Sequence, residues 1–137
     1  MVLEVRPGHG VGPFLLGQTQ KQIARTAGSG KELVRVPGHP AVLVYEDLGV
    51  LLHFSSGTLS MIEVGGQAQA AYEGIPLLHR PLRDVMRDLT RLGIDVDRDA
   101  QGAEAKGIGL GLYAPGETVD GVAVSPAPPI ERVTPLR

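Results

Sequence analysis

Alternating apolar and polar residues predict antiparallel strands in the middle of the chain, because this spacing is typical of strands with one buried face. We expect residues 56–58 to form a three-residue hairpin loop that sets Val50 opposite Val64. The same register sets Leu52 opposite Ile62. The predicted buried face carries the apolar residues of this alternation: Val42, Val44, Val50, Leu52, Phe54, Ile62 and Val64.

Two helices are predicted from local signals. Thr19 and Gln22 have the spacing of a capping box, and the helix that they start should run to about Ala27, before a glycine-rich stretch. A second helix should lie between Pro81, which suits a first helical turn, and Gly93. Its apolar residues recur with the helical period: Leu82, Val85, Met86, Leu89 and Leu92.

The two halves of the chain repeat each other. Residues 12–23 align without a gap on residues 74–85, at an offset of 62 (12 to 74, 23 to 85), and share a glycine, a Leu-Leu pair and an apolar helix position. Two further matches follow in the same order: residues 50–54 with 108–112 at an offset of 58, and residues 62–64 with 122–124 at an offset of 60. We interpret this common order as a duplication.

These elements predict an α+β protein that forms a single domain, residues 1–137. It should contain two tandem units, residues 12–64 and 74–124, each a helix plus an antiparallel hairpin, with the helices packed on one sheet face. Residues 65–71 have linker composition and should join the units. Residues 125–137 form a Pro-rich tail that we expect to be extended and exposed.

Composition narrows the functions that the chain can have. Its 42% hydrophobic and 20% charged residues are typical of a globular domain, and with only 4% aromatics the core should be aliphatic. A net charge of -2, with 13 scattered Lys and Arg residues, offers no positive field for nucleic acid. The lack of Cys excludes disulfides, thiolate metal sites and thiol nucleophiles.

No membrane partner is expected. Residues 1–13 do not contain the basic stretch and apolar run of a signal peptide, and no segment approaches the roughly 20 apolar residues that span a bilayer. We therefore expect a cytoplasmic location.

Candidate chemical motifs are weak. The glycines of residues 8–12 could cradle a phosphate, but no helix start with Lys and Ser or Thr follows, so a tight turn is favoured. No two of the four histidines (His9, His39, His53, His79) have the spacing of metal ligands on one face, although a zinc site built from distant residues stays open. His39 lies in a Pro-Gly-His-Pro turn.

Catalytic and calcium motifs are also incomplete. The chain has no Gly-x-Ser-x-Gly elbow for a nucleophile. The acidic run at residues 95–99 does not continue into a calcium loop with Gly at its sixth and Glu at its twelfth position, which favours a solvated turn. We expect no catalytic residue, no metal ion and no cofactor.

The strands also present side chains on the face turned away from the core, and in the first unit these are too apolar for contact with water alone. Strand glycines in the second unit are typical of close approach by another backbone or a ligand. The Pro-rich tail could cover this face, or a second protein could bind it. The predicted face carries Leu51, His53, Leu59, Met61 and Glu63, then Gly109, Gly111, Tyr113, Gly121 and Ala123.

The repeated Gly-Pro-x-Leu-Leu-Gly-x-Thr start of the helix resembles the architecture of the beta-lactamase-inhibitor-protein (BLIP-like) fold, in which tandem helix-plus-sheet units place helices on one sheet face. Residues 16–23 also resemble the helix start of the SmpA/OmlA outer-membrane lipoproteins. The chain differs from them because it has no lipidated Cys. Most of the chain is similar to the uncharacterised family that includes the phagosome assembly factor, which likewise has a Gly-rich start, a Leu-Gly helix start and a Gly-x-x-x-His-Phe strand like residues 49–54.

These resemblances imply a scaffold that binds proteins through an open sheet face, with no catalytic residue to carry over. The hypothesis is a non-enzymatic protein-binding module of the inhibitor, immunity or assembly type. Its partner is a second protein or a copy of itself. The predicted contact residues are Leu51, His53, Met61, Glu63 and Tyr113. The alternative is a small-molecule-binding protein or small enzyme with a pocket around His53, working with Glu63 or Tyr113.

Overall fold

The computed structural model describes residues 1–33 and 42–128. Within them the chain is an α+β protein with two helices and two sheets. Helix α1 spans Gln20–Ala27 and helix α2 spans Leu82–Arg91. The smaller sheet contains β1 (Val2–Arg6), β2 (Gly10–Val11), β3 (Phe14–Leu15), β8 (Gln69–Tyr72) and β9 (Ile75–Pro76), in the order β3-β2-β1-β8-β9.

The larger sheet has eight strands, and each neighbouring pair is antiparallel. Its strands are β4 (Lys31–Leu33), β5 (Val42–Tyr45), β6 (Val50–Ser55), β7 (Thr58–Gly65), β10 (Asp97–Asp99), β11 (Gly102–Ala105), β12 (Leu110–Tyr113) and β13 (Gly121–Val124), in the order β10-β11-β12-β13-β7-β6-β5-β4. The edge strands β4 and β10 are three residues long and carry charges, which disfavours pairing with other chains at the edges. Each half of this sheet therefore has four strands, where the sequence predicts one hairpin.

The hairpin of β6 and β7 has the predicted register, with Val50 opposite Val64. Its loop is shorter than predicted, because Ser55 pairs with Thr58 and only two residues remain between the strands. The register shifts between His53 and Phe54, which sets Phe54 opposite Leu59. The placement of Leu59 on the face turned away from the core is therefore wrong, and its side chain is buried at 2% exposure.

The face predicted for β5 is reversed. Leu43 and Tyr45 are buried in the core, whereas Val42 and Val44 lie on the opposite side of the sheet, where Val42 is nevertheless buried at 6% exposure. Because residues 42–45 are all apolar, alternation alone cannot choose the face. Burial of Tyr45 is made favourable by its hydroxyl, which donates a hydrogen bond to the carbonyl oxygen of Gly28 over 2.7 Å.

Residues 65–71 do not form the predicted linker. Part of this segment belongs to β8, which pairs in parallel with β1 and buries Ala70 beside Leu3. Residues 95–99 are likewise not only a turn, because Asp97–Asp99 form the exposed edge strand β10. The strand predicted from Ile108 starts at Leu110, because Lys106–Ile108 form a 3-10 turn.

The helices agree with their local signals. The Thr19 hydroxyl accepts a hydrogen bond from the Gln22 amide, and the Gln22 side chain accepts one from the Thr19 amide, which completes the capping box. Helix α1 ends at Gly28, which has a φ of 78°. In α2, Val85 and Leu89 are fully buried, whereas Leu92 follows the helix end and is 48% exposed.

The core is mainly aliphatic, with Phe14, Tyr45 and Phe54 as its aromatic members, and it joins both helices to the two sheets. It contains Ile23 of α1, Leu89 of α2, residues of the small sheet and one face of the eight-stranded sheet. Both helices and the small sheet therefore pack on that face. We call the opposite side the outer face; its middle row, in strand order from β4 to β10, is Lys31, Val44, Leu51, Glu63, Ala123, Gly111, Glu104 and Asp97.

Candidate functional site

Four predicted contact residues lie together on the outer face. Leu51 pairs with Glu63, and His53 pairs with Met61, across the β6–β7 hairpin. All four side chains are half-buried. Tyr113 lies on the same face in the other half of the sheet, opposite Gly121, and is 51% exposed. The outer face thus combines aliphatic, ionisable and aromatic side chains in one surface.

His53 and Glu63 form the most specific polar contact of this face. The two side chains are joined by a hydrogen bond between His53 Nε2 and Glu63 Oε1, and they are 21% and 37% exposed. In the Nε2–H tautomer the imidazole donates to the carboxylate. The Ser60 hydroxyl donates to the His53 carbonyl oxygen, 3.1 Å away, and not to the ring. This pair therefore fixes the orientation of the imidazole without activating Ser60.

A groove crosses the second half of the outer face. It has a volume of ≈ 220 Å³. Gly111, Gly121 and Ala123 form its floor, because these positions carry small side chains or none. Its border includes Tyr113 and the carboxylate residues Glu63, Asp99 and Glu104. His53 does not line this groove, so the pocket proposed for a small ligand does not coincide with the imidazole.

The fold does not require glycine in the floor of this groove. A Cβ added at Gly111 would lie 3.7 Å from the Ala123 Cβ, and one added at Gly121 would lie 3.6 Å from the Tyr113 Cβ, both ordinary contacts. Neither residue has a positive φ. Glycine weakens a strand interior, so its presence here is explained by the space that it leaves open above the sheet.

Gly109, by contrast, is required by the fold. Its φ is 73°, and an added Cβ would lie only 2.1 Å from the Ser125 carbonyl oxygen. Gly109 precedes β12, which starts at Leu110, and it lines a cavity of the outer face together with Gly111.

The start of the Pro-rich tail borders the outer face. Ser125, Pro126 and Pro128 line a cavity of ≈ 400 Å³ together with Met61 and Gly111. The remaining tail residues, 129–137, lie outside the described residues.

Charge is distributed unevenly over the outer face. Lys31 lies at one edge and is 3.9 Å from Glu46 Oε1. Three carboxylates lie at the other edge: Asp97, Asp99 and Glu104. In the described ranges none of these three forms an ion pair. The sequence does not single out Glu104, because its alternation with the buried Ala103 and Ala105 is a weak strand signal.

Among the described residues, the other two histidines, His9 and His79, lie apart from this face. His79 contacts the Ala68 carbonyl oxygen through Nε2 at 3.0 Å, and His39 lies outside the described residues. Over residues 1–33 and 42–128, no group of three or more ionisable side chains is arranged to hold a metal ion. In the same ranges, neither helix is long and apolar enough to cross a bilayer.

Comparison of the chain with family models, curated proteins and solved structures finds no significant match. The resemblances to the BLIP-like fold, to the family that includes the phagosome assembly factor and to the SmpA/OmlA lipoproteins therefore stay predictions.

Proposed function

We propose that the chain is a non-enzymatic protein-binding module, of the inhibitor, immunity or assembly type, and that its contact surface is the outer face of the eight-stranded sheet. One observation carries the proposal. The inner face is filled by the core, whereas aliphatic side chains on the outer face, such as Val44, Leu51 and Met61, are half-exposed in the described structure. Contiguous apolar surface on a soluble domain is typical of association.

The shape of the outer face favours a protein over a small molecule. Ligand pockets enclose most of their ligand, usually in a volume of about 300–1,000 Å³. The groove over Gly111 is smaller, at ≈ 220 Å³, and the cavity beside the tail, at ≈ 400 Å³, is at the low end of this range; both are open along the sheet. A shallow surface of this kind suits the side chains of another protein.

The second candidate function is a small-molecule-binding protein or small enzyme that uses His53. The hydrogen bond from His53 to Glu63 favours it, because a carboxylate can orient an imidazole for general-base catalysis. Replacing His53 by Gln tests this candidate. If His53→Gln abolishes binding of a small ligand but leaves protein association intact, the pocket is favoured. If protein association instead depends on Leu51, the contact face is favoured.

We also propose that the domain consists of two tandem units, approximately residues 12–64 and 74–124. Both halves have the order helix, two strands, 3-10 turn and two strands, and both pair their four strands in the same order. This common topology supports duplication. The cytoplasmic location expected from the sequence is likewise retained as a proposal.

A pair of glycines gives the strongest support for duplication. Gly49 and Gly109 both follow a 3-10 turn, with φ of 68° and 73°. The Gly65 amide donates to the Gly49 carbonyl oxygen at 2.9 Å, and the Ser125 amide donates to the Gly109 carbonyl oxygen at 3.0 Å. Gly49 and Gly109 are 60 residues apart, as are Gly65 and Ser125. These matches support an offset of 60 between the two units, in place of the offset of 58 that aligns residues 50–54 with residues 108–112.

Photo-crosslinking tests the protein-binding function. A photo-reactive amino acid replaces Leu51 in the full chain, expressed in the host cell, and a matched variant carries it at the exposed Arg87 of α2. We expect an adduct with a defined polypeptide from position 51 and none from position 87. No adduct from position 51, or equal adducts from both positions, would contradict the proposal.

A further inference from the structure

Among the middle-row positions at equal distances from the centre of the outer face, one pair differs in side-chain size and one pair carries opposite charges, whereas a third pair sets Val44 on β5 against Glu104 on β11. The centre is the pair of Glu63 and Ala123, where β7 meets β13. One strand outward from it, Leu51 on β6 corresponds to Gly111 on β12. At the two edges, Lys31 on β4 corresponds to Asp97 on β10.

We propose that the outer face binds the outer face of a second copy of this chain, about a two-fold axis that runs parallel to β7 and β13. This proposal rests on the protein-binding function above and names its partner. The axis places each half of the face over the opposite half of the other copy, since a two-fold interface is self-complementary. Facing sheets with nearly parallel strands are the common arrangement of β-sandwiches.

Size complementarity supports this partner. In the aligned arrangement, Leu51 of one copy lies over Gly111 of the other, where the ≈ 220 Å³ groove opens. A water molecule occupies about 30 Å³ in the liquid, so the groove has the volume of about seven water molecules. This is enough room for a branched aliphatic side chain. The two-fold axis makes this contact twice, and glycine at position 111 is then explained by the side chain that it admits.

Charge complementarity points to the same arrangement. Lys31 of one copy faces Asp97 of the other at each edge; both residues are exposed in the single chain, where Lys31 also lies 3.9 Å from Glu46 Oε1. Near the axis, Glu63 already has His53 as its hydrogen-bond partner within the same chain. Burial of this pair is less costly than burial of a lone carboxylate.

The size of the face predicts a weak dimer. Eight strands about 4.8 Å apart span about 38 Å, and four residues along each strand span about 13 Å, which gives about 500 Å² per copy. The total of about 1,000 Å² is at the lower limit for a specific interface. We therefore expect a dimer that dissociates on dilution, with a dissociation constant in the micromolar range or weaker.

Sedimentation equilibrium of the full 14.4 kDa chain over a wide concentration range tests the proposal. Gly111→Leu fills the groove, and we expect it to shift the protein to monomer. Gly116→Leu is the matched control, because Gly116 lies in the β12–β13 loop with open space around its Cβ position and should leave the dimer unchanged. Circular dichroism verifies that both variants are folded.

A charge exchange tests the orientation of the two copies. Lys31→Glu and Asp97→Lys, each alone, should weaken the dimer about two- to tenfold, which is the scale of exposed ion pairs. Mixing the two variants should restore association, because each contact then joins opposite charges. If neither Gly111→Leu nor the charge exchange changes the dissociation constant of the dimer, the proposal is overturned. A wild-type chain that stays monomeric would also overturn it, whereas a crosslink from position 51 to another protein would leave the binding function intact.

Discussion

Truncation of Leu89 to Ala measures how tightly α2 is packed against the sheet. The Leu89 side chain is at 0% exposure in the core, beside the residues of the inner sheet face. The change removes about three methylene equivalents, worth about 0.8 kcal/mol each. Because the surrounding core relaxes only partly, a cavity term is added, and we expect a loss of about 2–5 kcal/mol in the free energy of unfolding.

Leu92→Ala is the matched control for this measurement. Leu92 follows the same apolar spacing in the sequence but is 48% exposed at the end of α2, so its truncation should cost less than about 1 kcal/mol. Urea unfolding followed by circular dichroism gives both values. If Leu89→Ala costs less than about 1 kcal/mol, or if the two variants lose equal stability, the packing described for α2 is wrong.

Three further predictions concern the backbone and pH. Gly109→Ala should cost about 1–3 kcal/mol because of its positive φ, whereas Gly111→Ala should stay within about 0.5 kcal/mol, as measured by urea unfolding; equal losses would contradict the contrast. Burial raises the pKa of Tyr45, so wild-type stability should fall as pH rises past about 10, and a Tyr45→Phe variant that falls equally would refute this. The hydrogen bond from Arg80 lowers the pKa of Asp88, so stability should be lost as pH falls below 3.8, and Asp88→Asn should flatten this acid loss.

The helices are predictable from the sequence because their signals are local. The capping box of Thr19 and the apolar period of residues 82–89 need no information about distant residues. Pairing between distant strands has no such signal. Strand β8 is held in place by pairing with β1. The three-residue edge strands β4 and β10 are exposed at every position, so no alternation of buried and exposed residues marks them.

The contact face is only partly predictable for related reasons. Leu51 and Met61 share a face because alternation within β6 and β7 is regular up to His53. Beyond that point a shift in register moves Leu59 into the core. The sequence does not reveal this shift, because either Leu59 or Ser60 could pair with Phe54. Glu104 is missed because the small alanines around it are a weak strand signal.

Replacement of Leu51 and Met61 by Lys, followed by sedimentation, tests the central claim most directly. Both side chains lie on the outer face, so the double variant should stay folded by circular dichroism, with a free energy of unfolding within about 1 kcal/mol of wild type. It should lose association with the polypeptide that crosslinks at position 51, because unpaired charges would be buried in the contact. An unfolded double variant would mean that the chain itself covers these side chains, and unchanged association would mean that the contact lies elsewhere; either result contradicts the account.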